Sequence, residues 1–314
     1  MHTFSRLLLG TIIGCIAPVL VANALPVQAE ARIAILASNN SPSYQETVRG
    51  FKQAVQLAVP NAIFDEHWLQ GDAAQAEAAA MQAGSIHPML FFTVGSLATQ
   101  SVARVMPGIP IVAAMILNAG EFKSTANATG VVLELPLETE LHWLQRLLPD
   151  QRHIGVLYSP SQNQARVTEA VRLAKSLGLV VHAQKVTTPR DLPDAMESLA
   201  NQAGVLFGLA DTMVLNQQTA QSLLLFSLRN RIPFVGLSRS WVKAGALYAL
   251  ERDYSDIGRQ CGVLGLKILR GEPAASLPPE TPHKINYVIN LKVAQQMKIE
   301  FPAALVKGAL EVIE

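Results

Sequence analysis

The sequence predicts an α/β protein of two Rossmann-like lobes, each a doubly wound parallel sheet, joined by a multi-strand hinge. Three observations lead there. Short apolar runs alternate with amphipathic stretches of helical length, the pattern runs twice, and the C-terminal pieces are too small for a third domain.

In the first half the apolar, β-branched-rich runs are Arg32–Ser38, Met89–Gly95, Ile109–Leu117 and Thr129–Leu135. The second half supplies His153–Ser159, Val180–Val186, Gly204–Ala210, Ile232–Leu237 and Gly245–Leu250. Apolar residues at successive positions mark strands covered on both faces. Between them, Tyr44–Ala58 sets Val48, Phe51, Val55 and Ala58 on one helical stripe. Ala73–Ala83, Ser96–Val105, Leu137–Leu148, Asn163–Leu177, Asp191–Ala200 and Asn216–Arg229 follow the same period. Strand–helix alternation of this kind winds a parallel sheet.

The repeat is visible at matched positions. Ala34–Ser43 and Gly155–Gln164 each carry an apolar strand into a polar loop, and Ile109-Pro110 and Ile232-Pro233 each open a later strand. Beyond it, Asp253–Leu269 reads as a helix stopped by Arg270-Gly271 and Pro273. Ile285–Asn290 reads as a strand, and Leu291–Met297 and Ala303–Val312 as short helices. These pieces complete the two lobes: residues 30–133 with 252–280, and 134–251 with 281–314. The chain then crosses between lobes several times, near Glu134, Glu251 and Pro279.

Residues 1–29 differ in kind. Arg6 is their only formal charge, Leu7–Leu25 is almost wholly apolar, and Val27 and Ala29 suit a cut before Glu30. This is the pattern of a secretory signal peptide. An uncleaved anchor and lipid attachment at Cys15 are the alternatives. The whole chain has 25 basic and 24 acidic residues; without the leader the count is 24 against 24. A balanced surface speaks against nucleic acid and against a charged membrane as partner. Of two cysteines only Cys261 lies outside the leader, so stability rests on packing and not on an intrachain disulfide.

In open parallel sheets ligands sit beyond the carboxyl ends of the strands, where helix N-termini present free N–H groups. Those positions here hold small hydroxyl and amide residues: Asn40, Ser41 and Tyr44, then Gly95 and Ser96, then Ser161 and Gln162. Asp211, Thr212, Ser238 and Ser240 complete the set. Each also suits helix capping, and their concentration on one edge of both halves favours a site. Asp211 reads equally as a cap or as the partner of a ligand ammonium or hydroxyl. Tyr44 reads as a staple for its helix or as a cleft wall, and Trp241 as packing beside a hinge or as a stacking surface.

Signals for catalysis are weak. The seven histidines are scattered without metal-ligand spacing, no Gly-rich phosphate loop is present, and no cofactor is expected. Gly236-Leu237-Ser238-Arg239-Ser240 approaches the nucleophile elbow of a serine hydrolase, with Asp253 and His283 downstream, but Ser240 replaces its last glycine. The reading is a binding protein, not an enzyme.

From Ala31 to Pro302 the chain resembles the substrate-binding proteins of ABC transporters with the type I periplasmic binding protein fold. Within them it resembles the group that includes tryptophan/tyrosine-type receptors. The resemblance is carried by Ile232–Leu247, Tyr254–Gln260, Lys267–Gly271 and Asn290–Ala294, with Gly155–Ser161 and Pro136-Leu137-Glu138. It implies a cleft between lobes that closes on a small-molecule ligand, a monomer in the periplasm, and an ABC permease in the inner membrane that reads the closed shape. A periplasmic sensor subunit docking on a receptor kinase is the alternative output. Two departures bear on the pocket. Asp211-Thr212-Met213 stands where many members read Asp-Asn-Thr, and Arg239 separates the two serines.

Overall fold

The computed structural model describes residues 30–314, so the expected signal peptide and Cys15 lie outside the described residues. Two sheets organise the chain. The first is five-stranded in the order β2-β1-β3-β4-β5: β1 (Arg32–Ala37), β2 (Ile63–Trp68), β3 (Leu90–Val94), β4 (Ile111–Ile116) and β5 (Ala128–Val132). All four pairings are parallel. Successive residues enter opposite layers, as the period of a strand requires. Ile33, Ile35 and Ala37 join one core cluster, and Ala34 and Leu36 the other.

The second sheet is seven-stranded, in the order β12-β11-β10-β9-β8-β6-β7. It contains β6 (His153–Tyr158), β7 (Val180–Lys185), β8 (Val205–Phe207), β9 (Phe234–Gly236), β10 (Tyr248–Arg252), β11 (Ile285–Asn290) and β12 (Glu311–Ile313). Its first five strands, β7-β6-β8-β9-β10, reproduce the β2-β1-β3-β4-β5 order of the first sheet, so the sequence repeat is a repeat of topology. β11 runs antiparallel to β10 and departs from the all-parallel expectation.

Helices cover both faces. α1 (Pro42–Ala58) and α9 (Tyr254–Leu269) lie on one side of the first sheet, and α2 (Ala76–Gly84) and α3 (Ser96–Val105) on the other. On the second sheet, α4 (Leu137–Leu147), α5 (Pro160–Ser176), α10 (Leu291–Met297) and α11 (Ala303–Gly308) share one layer. The opposite layer holds α6 (Leu192–Leu199), α7 (Gln217–Asn230) and α8 (Arg239–Ala244). α1 and α5 begin at proline, whose fixed φ and missing N–H suit a first turn. α9 reaches the first sheet late in the chain and meets α1 closely. A Cβ at Gly50 would lie 2.1 Å from the Ser255 carbonyl oxygen, and one at Gly258 2.1 Å from that of Thr47. Only glycine permits that approach.

The chain passes between sheets three times, after β5, after β10 and before β11. These connectors are tied side by side. Arg252 Nε donates to the Leu133 carbonyl at 2.8 Å, and Lys284 Nζ meets Asp253 Oδ2 at 2.6 Å. Glu280 joins the edge of the first sheet through Val131, with its N–H donating to the Gly130 carbonyl.

Two expectations change. The helix expected over Ala303–Val312 ends at Gly308, and Glu311–Ile313 forms a strand on the open edge of β11, where Val312 and Ile313 suit a pleated surface. Ile63–Trp68, not expected from the sequence, is an edge strand. Among the described residues, no helix is long and apolar enough to cross a membrane.

Candidate functional site

At the carboxyl ends of β1 and β3, Gly95 adopts φ +93°, and a Cβ there would lie 2.6 Å from Ser38 Oγ and 2.9 Å from the Tyr44 hydroxyl. The structure thus brings Tyr44, Gly95 and Ser38 together. The Tyr44 ring packs on the core below, and burial raises the pKa of its hydroxyl. Ser41 caps α1 by position and its Oγ lies 3.3 Å from that of Ser43, while Asn40 Oδ1 accepts from Gln45 Nε2 at 2.8 Å. Ser96 Oγ donates to Glu121 Oε2 at 2.5 Å, and Glu121 Oε1 accepts the Leu117 N–H at 3.0 Å.

That last pair fixes a lip. β4 carries an irregularity between Ala113 and Ile116, and Met115 there has φ +58°. A bulge bends its strand and re-aims the chain beyond it. Here it delivers Leu117–Gly120 to the wall of a cavity.

In the second lobe, two strand-end loops are stapled. Asp211 Oδ2 accepts from the Ser159 N–H at 2.7 Å and from Asn163 Nδ2 at 3.0 Å. Its Oδ1 accepts the N–H groups of Met213 and Val214 at 3.0 and 3.1 Å. Gln162 Nε2 donates to Thr212 Oγ1 at 2.9 Å, and its Oε1 accepts the Thr212 N–H at 3.0 Å. Ser161 Oγ lies 2.8 Å from Ser159 Oγ. Ser238 and Ser240 lie at the start of α8, where the Arg239 N–H donates to Glu251 and its Nε meets Glu311 at 3.0 Å. Trp241 packs edge-on against Phe234, with ring centroids 5.4 Å apart.

The cavity, about 580 Å³, runs from the Leu117–Gly120 lip to the layer between α4, α5 and the second sheet. Of the residues expected from sequence, Gln162 lines it; the others, in strand-end loops or the first turns of the helices that follow, lie outside its wall. Its charged wall residues are Glu134, Glu140, Arg166 and Arg252, two of each sign. Arg166 sits at their centre. Its Nη1 pairs with Glu134, and its Nη2 donates to Glu140 Oε2 at 2.6 Å and to the Leu135 carbonyl at 3.2 Å. Tyr248 also lines the cavity, and its buried hydroxyl has no hydrogen-bond partner.

Sequence reasoning does not select Glu140, Arg166 or Tyr248, because each lies inside a regular element and not in a strand-end loop. The available signal is spacing. Glu140 and Arg166 both fall early in helices that begin at the same edge of the sheet.

Burial raises the Glu140 pKa to about 7, against the lowering pull of Arg166 and Arg252. The native protein therefore holds a proton that the unfolded chain, with its ordinary value of 4.5, has released. That contribution to stability is complete below pH 4.5 and is lost as the pH rises through about 7. Its full size is about 3 kcal/mol, since each pKa unit between the two states is worth about 1.4 kcal/mol. In urea denaturation from pH 4.5 to 8, Glu140→Gln is expected to lack this loss, and its stability relative to wild type should rise with pH.

The residues of the nucleophile-elbow pattern do not converge. Asp253 accepts from the Asp256 N–H and from Lys284, while His283 Nε2 lies 3.8 Å from Glu280. Among the described residues, no group of three or more His, Cys, Asp or Glu side chains is placed to hold a metal ion.

Twin parallel-sheet lobes, three tied connectors and a cavity at the strand ends define the type I class of two-lobed binding proteins. The chain belongs to the ABC transporter substrate binding protein family, whose sequence profile matches residues 32–313. It is similar to a tyrosine-binding protein of Clostridioides difficile (strain R20291), 23% identical over 274 residues, 82% of this chain and 79% of that one. A solved ABC domain in complex with L-Trp from Streptococcus pneumonia is 21% identical with a TM-score of 0.59, over 91% of this chain and all of the other. The ligand-free, open structure of a substrate binding protein with adhesive properties from Clostridium difficile gives a TM-score of 0.74 at 21% identity, over 90% and 99% of the two chains.

Proposed function

We propose that this protein is the solute-binding component of an ABC importer, exported to the periplasm by its leader, where it closes two lobes on a small, neutral, amino-acid-like ligand. The observation that carries the reading is the cavity wall, where two carboxylates and two guanidinium groups balance. Such a wall suits a zwitterion better than a net ion, because a buried net charge needs a partner of opposite sign. The relatives named for tyrosine binding and solved with L-Trp support the same ligand class.

In this reading the second lobe holds the ligand first, through Gln162 and the cavity wall. Closure about the three connectors then brings Tyr44, Ser41, Gly95 and Ser96 from the first lobe against it. Ligand binding selects the closed state because only there do both loop sets touch the ligand. Ser161, Thr212, Ser238 and Ser240 rim the second-lobe side, and Asp211 holds the loop that carries Thr212. The closed monomer is what the permease recognises.

The test is calorimetric titration with the neutral L-amino acids, paired with small-angle X-ray scattering. At least one is expected to bind with a 1:1 stoichiometry and to reduce the radius of gyration. Binding without compaction would remove the hinge mechanism, and no binding across the panel would remove the ligand class.

A further inference from the structure

We propose that Arg252 is the anion anchor of the cavity, its Nη1–Nη2 edge receiving the ligand carboxylate while its Nε stays on the hinge. The inference rests on the amino-acid reading above and assigns one end of the ligand to one residue.

Hydrogen-bonding capacity singles this residue out. Polar groups at the second-lobe strand ends are spent on one another: Asp211 accepts from four donors, and Gln162 exchanges hydrogen bonds with Thr212. Arg166 is committed as well, to Glu134, to Glu140 Oε2 and to the Leu135 carbonyl. Arg252 lines the same cavity and is half-buried. Of the five N–H donors of its guanidinium it uses one, Nε, which donates to the Leu133 carbonyl at 2.8 Å. Among the described residues, Nη1 and Nη2 have no partner at hydrogen-bond or ion-pair distance. A half-buried cation with an open edge is short of a counter-ion. Glu140 does not fill that place. Its Oε2 is held by Arg166, and a pKa of about 7 leaves it partly protonated at neutral pH.

The open edge presents two parallel N–H groups, the fork that pairs with a carboxylate through two hydrogen bonds. Because Nε is already fixed, little side-chain freedom is lost when the ligand arrives. Leu133 belongs to the connector that follows β5, and its own N–H donates to the Ile116 carbonyl at 2.7 Å, at the root of the lip. A carboxylate on Arg252 therefore rests, through one side chain, on a connector between the lobes. A carboxamide in its place carries no charge and turns an NH₂ toward the fork, donor against donor.

The experiment is calorimetric titration of the neutral L-amino acids, each paired with its α-carboxamide (L-leucine with L-leucinamide, for example), into wild type, Arg252→Gln and Arg252→Lys. Wild type is expected to favour a binding acid over its amide by about thirtyfold or more. Arg252→Gln should weaken the acid by about thirtyfold and leave the amide within about threefold, so that the preference collapses. Arg252→Lys keeps the charge without the fork and should weaken the acid by about fivefold. Loss of the Leu133 tie alone would lower acid and amide together, so the ratio separates an anchor from a hinge support. Thermal denaturation checks folding, and the lysine variant carries the test if the glutamine variant does not fold. Equal wild-type binding of acid and amide overturns the anchor and leaves the amino-acid reading intact. So does a preference undiminished in the variants, or a loss shared equally by acid and amide. Failure of every neutral amino acid to bind overturns both.

Discussion

Arg166→Ala is expected to destabilise the protein by about 2–4 kcal/mol at pH 8 and by markedly less at pH 6. Truncation strands Glu140, whose side chain is only 17% exposed, beside the uncompensated Glu134. Breaking a buried pair by removing one partner is expensive because a charge is left in a medium that does not solvate it. Glu140 has an escape, since its pKa already stands at about 7 and loss of the guanidinium moves it higher. At pH 6 it takes up a proton and the penalty shrinks. The Glu134 contact contributes little to the total, because that carboxylate is 40% exposed and water screens it. Urea denaturation at the two pH values reads the effect. The double variant Arg166→Ala with Glu140→Gln should lose clearly less than the sum of the single changes, which isolates the pair. Equal losses at both pH values would show that Arg166 acts through packing of its stem and not through its charge.

The same residues show which parts of the molecule can be read from sequence. Buried strands announce themselves by apolar runs and helices by their apolar stripe, and the strand Ile285–Asn290 and the helix Ser96–Val105 have the expected end residues. Ile63–Trp68 escapes because an edge strand is half wet, and Phe64-Asp65-Glu66-His67 carries too much polarity to stand out. Ala303–Val312 reads as one helix because its first turns are helical in pattern. The pairing that ends it is supplied by β11, which is brought there by the fold.

For the cavity the division is sharper. Loops after strands can be located from strand order alone, and Gln162 is found that way. The rest of the wall is not. Tyr248 reads as one more buried aromatic on a strand, and Glu140 and Arg166 read as polar positions on amphipathic helices. Their convergence depends on α4 and α5 packing together over β10, a tertiary relation with no local sequence signature.

Asp211→Ala is expected to cost about 3–5 kcal/mol and to loosen the edge of the second lobe on which the ligand reading depends. The carboxylate is buried and accepts four hydrogen bonds: from the Ser159 N–H, Asn163 Nδ2 and the N–H groups of Met213 and Val214. Alanine leaves these donors without their acceptor, and each buried unsatisfied group costs about 1–3 kcal/mol, less than additively. Asp211→Asn separates charge from shape. Its amide oxygen can serve the Met213 and Val214 N–H groups, but its NH₂ would then face Ser159 N–H and Asn163 Nδ2, donor against donor. Rotating the amide only moves the conflict to the other pair. Asparagine is therefore expected to recover less than half of the loss, as measured by chemical denaturation. Because Gln162 and Thr212 are joined across the same two loops, ligand affinity should fall with stability in both variants. An Asp211→Asn protein of wild-type stability with affinity reduced tenfold would instead place the carboxylate in direct contact with the ligand.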